Sequence, residues 1–364
     1  PSLKGANPPH GTHARRTAQG FVRCMVDAAL ERARSLSCWA AGVRIVPTTE
    51  VEAELGLGTG RTNRNFVATA ADGERFFVRI GVDLPPWGVT RRKEQAAAIA
   101  AAASGIGAAV HHAELPDALV CAFVDGRALT EQQVHAAASG ADEQLLHALA
   151  AAVRTLHATP LPTELLQVAP PGPPRWAPPD LARWISYARE GGFSRVPLLE
   201  ECDSVIARAE AFVEAGWPAE PPVFCHFDLL CDNFVVRDVP GGGGWRVFVV
   251  DFEYANAGQP LMDLAVLSMG CALSAGEERR LVASYLQKPR VDDHEAARFG
   301  ALKMLACLRE TFWGVVAEVS RASALSDEAA AAYVDEQYAK YVAARAEWEA
   351  WMRNGEGSQA LRAS

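Results

Sequence analysis

The sequence predicts an α+β fold in two unequal lobes, a small antiparallel-sheet lobe followed by a large helical one. Three observations carry this reading. In "NFVATAADGERFFVRIG" apolar residues alternate and cluster on either side of Asp72-Gly73, the pattern of a β-hairpin. The Ala-rich stretch "RRKEQAAAIAAAASGIG" then reads as a helix that Gly105 and Gly107 bring to an end. Beyond the Asp125-Gly126 turn, most segments repeat apolar residues at helical spacing, and only two strand-like runs interrupt them.

Taken in order, residues 1–36 are expected to be a disordered lead-in, rich in Pro, Gly, Thr and Arg, with a short helix from Phe21 to Leu36. Residues 37–125 form the first lobe. It holds two or three antiparallel strands between about 49 and 80, a helix over 91–103 and a strand beginning at Leu119. Residues 126–352 form the second lobe. Its helices are expected over 141–158 and at about 180–190, 197–215, 261–272, 276–287, 292–320 and 326–352. Strands are expected at Val223–Phe227 and Arg246–Val250, with "PGGGG" (240–244) as a hairpin tip. The Pro-rich stretch 160–179 reads as a surface connection, and residues 353–364 as a disordered tail. No internal repeat is visible. A cleft between two such lobes is a common place for a ligand.

The 364 residues carry 49% apolar and 22% charged side chains, an ordinary globular balance. A net charge of −9 argues against nucleic acid as the main partner, because phosphate backbones select basic surfaces. No apolar run approaches the ~18 residues of a membrane helix, and the first twenty residues lack the apolar stretch of a secretory leader. Eight scattered cysteines without a C-x-x-C pair point to buried thiols in a reducing, cytoplasmic setting.

The chemistry-bearing residues stand out against this background. "HFDLLCDNFVV" places Asp228 and Asn233 five apart, and "VVDFEY" places Asp251 after an apolar strand. Phosphoryl transfer needs a carboxylate to orient an attacking hydroxyl and hard oxygen ligands for Mg²⁺. H-x-D-x-x-x-x-N followed by D-F-x supplies both, at the spacing of a kinase catalytic loop and metal motif. In "GLGTGRTNRN", Gly58 and Gly60 would let backbone amides approach phosphates while Thr62 and Asn63 offer side-chain donors; the same stretch would also serve as a plain hairpin turn. Arg79 sits inside the apolar "FFVRI", where a cation could fork onto phosphate oxygens, and Glu94 on the next helix is its natural partner.

These residues, with "RRKE", "FVDGRALT", "DFEYANAGQPLMDLAVLS" and "LRETFWGVV", resemble the choline/ethanolamine kinase family within the aminoglycoside phosphotransferase-like kinases. The resemblance runs from about Cys38 to Met352. It implies a protein-kinase-like fold and transfer of the ATP γ-phosphate, with Mg²⁺, to a small cationic alcohol. By the family's motifs, Asp228 is the expected catalytic base, and Asn233 and Asp251 the metal ligands. Arg79 and Glu94 form the phosphate-gripping pair. The segment 121–125, with Phe123 at its centre, is the hinge that meets adenine. Asp263 braces the catalytic loop, while His226 orients it and His157 is structural. Glu253, Tyr254, Trp313 and Tyr338 are expected to line the alcohol pocket. Val316 stands where choline kinases carry a second Trp, so that cage is one aromatic short. Thiamine or an aminoglycoside is the alternative acceptor, a silent nucleotide-binding protein a further one, and a homodimer is compatible with the reading.

Overall fold

The computed structural model describes residues 27–55, 63–166, 175–217, 219–323 and 325–362. Residues 27–34 form helix α1. A five-stranded antiparallel sheet follows, built from β1 (Arg44–Pro47), β2 (Arg64–Thr69), β3 (Arg75–Ile80), β4 (Val110–Glu114) and β5 (Ala118–Ala122). The spatial order is β1-β2-β3-β5-β4. β2 and β3 form the expected hairpin, with Gly73 at φ +91° in the turn and the Glu74 amide donating to Asp72 Oδ1. The sheet starts earlier than expected, and Thr48–Leu55 is helix α2 rather than strand. Its "TTEVEAEL" is rich in good helix formers, and Thr48 anchors the start by donating to the Asn65 carbonyl.

Strand alternation decides which side chains reach the cleft. Phe66, Ala68, Phe76, Val78, Ile80 and Val120 face one way and pack with Ala33 and Leu36. Phe77 and Arg79 therefore face the other way, toward helix α3 (Arg91–Ala103) and the second lobe. α3 has the bounds its composition predicts, with Thr90 capping its N-terminus through the Lys93 amide.

The chain crosses to the second lobe through residues 123–126 and at once pairs β6 (Arg127–Ala128) with β8 (Phe234–Asp238), which pairs in turn with β9 (Trp245–Val249). A Cβ on Gly126 would lie 2.9 Å from the Val236 carbonyl, so only glycine lets the crossing lie this close to β8. The helices are α4 (Glu131–Ser139), α5 (Glu143–Ala158), α6 (Thr163–Leu166), α7 (Leu181–Glu190), α8 (Leu198–Glu214), α9 (Leu261–Gly270), α10 (Ala275–Tyr285), α11 (Asp293–Ser320) and α12 (Asp327–Arg362). Two short strands, β7 (Val223–Cys225) and β10 (Asn256–Gly258), pair antiparallel beneath the cleft. α9 is buried over every residue from Leu261 to Met269, apolar on all sides except for Asp263 and Ser268. α12 continues to Arg362 where a disordered tail was expected from residue 353. Trp348 and Trp351 anchor it on Phe212 of α8, and extending a formed helix costs little per residue.

Gly258 of β10 packs against the ring of Phe227, which is 1% exposed; a Cβ there would lie 2.8 Å from Phe227 Cε2. Gly258→Ala is expected to destabilise the fold by about 1–3 kcal/mol, measured as a lower urea midpoint at unchanged slope.

Candidate active site

The polar motifs meet where the lobes face each other. Two residues there hold left-handed backbone without being glycine: Phe227 at φ +60° and Asp251 at φ +68°. Such geometry costs free energy and persists only where surroundings enforce it. Asp263, 0% exposed on α9, provides the enforcement at Phe227. Its carboxylate accepts from the His226 amide at 2.8 Å, the Phe227 amide at 2.7 Å and His157 Nε2 at 3.0 Å. Burial alone would raise its pKa, but the bonds from His157 and the His226 amide outweigh this and hold it below the ordinary carboxylate value. His157, Cys225 and Asp263 offer ligand atoms within 4.8 Å of one another. Both Asp263 oxygens are already taken by hydrogen bonds, so the trio acts as a brace.

His226 ties the two motifs together. Its Nε2 lies 2.9 Å from the Val250 carbonyl and so donates to it, which leaves Nδ1 to accept from the Asp228 amide at 3.2 Å. Burial lowers its pKa and keeps it neutral. The Val250 amide donates to the Asn233 carbonyl at 3.0 Å. Asn233 Nδ2 reaches the Asp228 carbonyl at 2.6 Å and its carboxylate at 3.1 Å. That leaves Asn233 Oδ1 as the side-chain group available for a ligand. Asp251 accepts from Arg79 at 2.8 Å. Burial pushes its pKa up, but Arg79 more than offsets this and Asp251 stays ionised. Asn233 and Asp251 could thus hold a hard divalent cation through oxygen.

Arg79 crosses from β3 to both Glu94 of α3 and Asp251. Glu94 is shared with Arg91, which also donates to Asn63 Oδ1 at 2.8 Å and to Glu253 at 3.3 Å. Asn63 closes this network by donating to Glu253 at 2.9 Å. The donor expected for a phosphate is thus bound up with protein groups, and Asn63 does not line the cleft. Asn65, two residues on and opposite Arg79 in the sheet, does line it, with its buried Oδ1 lacking a partner. Gly58, Gly60 and Thr62 lie outside the described residues.

Beside these groups is a cavity of about 230 Å³. Its polar end is Arg79, Glu94, Asn233 and Asp251, and its apolar walls include Ala98, Ala122, Phe123, Val235 and Phe252. Phe123 lies on the wall beneath the Arg75 guanidinium, 4.4 Å from its ring centre. The Phe123 amide already donates to the Arg75 carbonyl at 3.0 Å, so a ligand would have to use other groups of the crossing segment.

On the far side of Asp228 the aromatic residues sort themselves. Trp313 donates to the Tyr254 hydroxyl at 2.7 Å and packs 6.0 Å from Trp87 and 5.3 Å from Tyr333. Tyr333 bonds Glu310. Tyr338 does not join them; it packs on Tyr341 at 6.0 Å on another face of α12. Five residues is about 140° around a helix, so the expectation at Tyr338 missed by phase. Val316 is fully buried in the core. Arg309, 2% exposed, donates to Asp180 through Nε and Nη2 at 2.7–3.1 Å and stacks on Trp184 at 4.7 Å. Burial, then Glu310 and Asp251, push the Asp228 pKa well above the carboxylate range, against the pull of Arg309. Sequence reasoning missed Arg309, Glu310, Tyr333, Trp87 and Asp180. "LRETFWGVV" on α11 held the first two, but only tertiary packing aims them at Asp228.

A cleft between a five-stranded sheet and a helical lobe, with these motifs at its polar end, is the arrangement of a protein-kinase-like phosphotransferase. The chain belongs to the phosphotransferase enzyme family APH, whose profile matches residues 55–299. It is similar in structure to a choline/ethanolamine kinase family protein from Mesorhizobium loti, at 22% identity and TM-score 0.64 over 88% of this chain and 94% of that one. Similar too is an ethanolamine kinase from Plasmodium vivax, at 14% identity and TM-score 0.66 over 93% and 95%. The GDP complex of aminoglycoside 2′-phosphotransferase-IIIa shares 15% identity and TM-score 0.54 over 82% and 97%. Likeness at these identities establishes the kinase-like fold. No curated protein sequence matches the chain.

Asp263→Ala would leave the amides of His226 and Phe227 buried and unpaired, which is expected to cost about 3 kcal/mol or more. Because the folded-state pKa of Asp263 is lowered, its ionisation stabilises the native state above the unfolded value near 4, and that contribution fades as pH falls through the folded value. Urea titrations across acid pH should show a shallower pH dependence in the variant.

Proposed function

We propose that this protein transfers the γ-phosphoryl group of ATP to the hydroxyl of a small amino alcohol such as choline or ethanolamine. The observation that carries the proposal is Asp228, oriented by Asn233 and beside the Arg79–Asp251 pair, with carboxylate and aromatic groups on its other flank. The acceptor hydroxyl would donate to Asp228. As its oxygen bonds to the γ-phosphorus and the bond to the β-phosphate oxygen breaks, Asp228 takes the proton and ADP leaves. Arg79, held by Glu94 and Asp251, would lie against the phosphates. Asn233 and Asp251 are the residues that would hold Mg²⁺, which when bound supplies charge neutralisation to the triphosphate. The base would occupy the apolar slot beside Phe123.

An ammonium group suits the acceptor side for two reasons. Glu310 and Glu253 add negative charge around Asp228. Trp87, Tyr254, Trp313 and Tyr333 supply aromatic faces in mutual contact. An aminoglycoside or thiamine would meet the same charge, and the GDP-bound aminoglycoside neighbour keeps that reading as the runner-up.

Asp228→Asn should lower kcat by about 10²–10⁴-fold with nucleotide binding retained, measured by ADP release over a panel of amino alcohols. Full activity in the variant, or no turnover of any amino alcohol by the wild type, would remove this reading. Asp228 must be deprotonated to act, so its raised pKa places the acid limb of kcat/KM above the usual carboxylate range. Glu310→Gln removes a like charge and should move that limb to lower pH.

A further inference from the structure

A second cavity, of about 190 Å³, adjoins the acceptor side and shares Trp87, Tyr254 and Glu253 with it. Trp87 and Tyr254, both in contact with Trp313, form one wall; Glu253 and Asn256 continue it; Lys93, Asp180 and Arg183 complete it. Its charges are unevenly satisfied. Asp180 is held by the fork of Arg309, and Glu253 accepts from Asn63 and Arg91. The two cations are not matched in this way. Lys93 is 8% exposed, and its only hydrogen bond among the described residues is to the Gly88 carbonyl at 3.3 Å, with no ion pair. A buried ammonium with three donors and one neutral acceptor is costly unless something else meets it. Arg183 lies at the exposed rim beside Gly88, its Nε 3.2 Å from where a Gly88 Cβ would be, and it forms no ion pair among the described residues.

We infer that this cavity is an oxyanion subsite, and that the acceptor is an amino alcohol that also carries a carboxylate or phosphate, received by Lys93 with Arg183 at the rim. The inference rests on the amino-alcohol reading above and narrows it. The ammonium of the acceptor would sit among Trp313, Tyr254 and Glu310, and its anionic arm would extend past Tyr254 to Lys93. Burial already lowers the Lys93 pKa, with Asp180 opposing and Arg183 reinforcing the shift; a bound oxyanion would raise it.

The test uses the full chain without nucleotide, so it does not depend on turnover. Calorimetric titrations would compare ethanolamine with L-serine, which adds one carboxylate, and 2-amino-1,3-propanediol with its monophosphate, which adds one phosphate. The member of at least one pair that carries the added anionic group is expected to bind about tenfold tighter or more. A preference for serine names the carboxylate; a preference for the aminopropanediol monophosphate names the phosphate. Lys93→Met should erase the preference, Lys93→Arg should keep most of it, and Arg183→Ala should weaken it severalfold. If Lys93→Met does not fold, Arg183→Ala reads the same site from its exposed rim. No preference in either pair, or a preference that survives both Lys93→Met and Arg183→Ala, would overturn the inference. Failure of every alcohol to be phosphorylated would instead strike the kinase reading and leave the binding result standing.

Discussion

The site depends on one buried carboxylate. Asp263 sits in a buried helix whose only other buried polar side chain is Ser268, and there an isolated charge would be prohibitive. Two backbone amides and an imidazole make it tolerable. In return it fixes the backbone at Phe227 in a conformation that a bulky residue rarely adopts. Asp228 follows directly, so its direction is inherited from the brace. His226 extends the same constraint to Val250, next to Asp251, and two distant parts of the chain keep a fixed spacing.

A second constraint spans the lobes. Arg79 on the sheet, Glu94 and Arg91 on α3, and Asp251 and Glu253 beyond β9 form one buried chain of alternating charge. Buried ions of this kind add little net stability but resist any change that strands a partner. Their value here is positional. Strand alternation delivers Arg79 to the cleft, and the two acids flanking it set how its fork can turn.

Much of this was legible in the chain itself. Asp228, Asn233 and Asp251 stood out because oxygen-bearing side chains in apolar surroundings have no packing reason to be there. α3 was legible to the residue because alanines end abruptly in glycines. The short strands β4, β8 and β10 were not. "VHHAE" carries weak alternation, β8 begins immediately after Asn233, and β10 is three residues long. The strong hairpin signal beside it extends the expected strands back to about residue 49, whereas the residues of Thr48–Leu55 themselves favour helix. The acceptor side was the least legible. Arg309, Glu310, Tyr333, Trp87 and Asp180 come from separate elements, and no local pattern announces which helix face will turn inward. Tyr333 and Tyr338 look alike in sequence and differ only in angular position on α12.

The larger cleft owes its room to atoms that are missing. Around its apolar end stand Ala98, Ala108, Ala122, Gly126 and Ala128, none with a carbon beyond Cβ. These small residues open space between the larger walls of Phe123, Val235 and Phe252. A ligand with an added substituent pointing at Ala98 or Ala128 would occupy ground that a Leu or Met would close, which makes the slot a natural handle for compounds that discriminate between otherwise similar kinases.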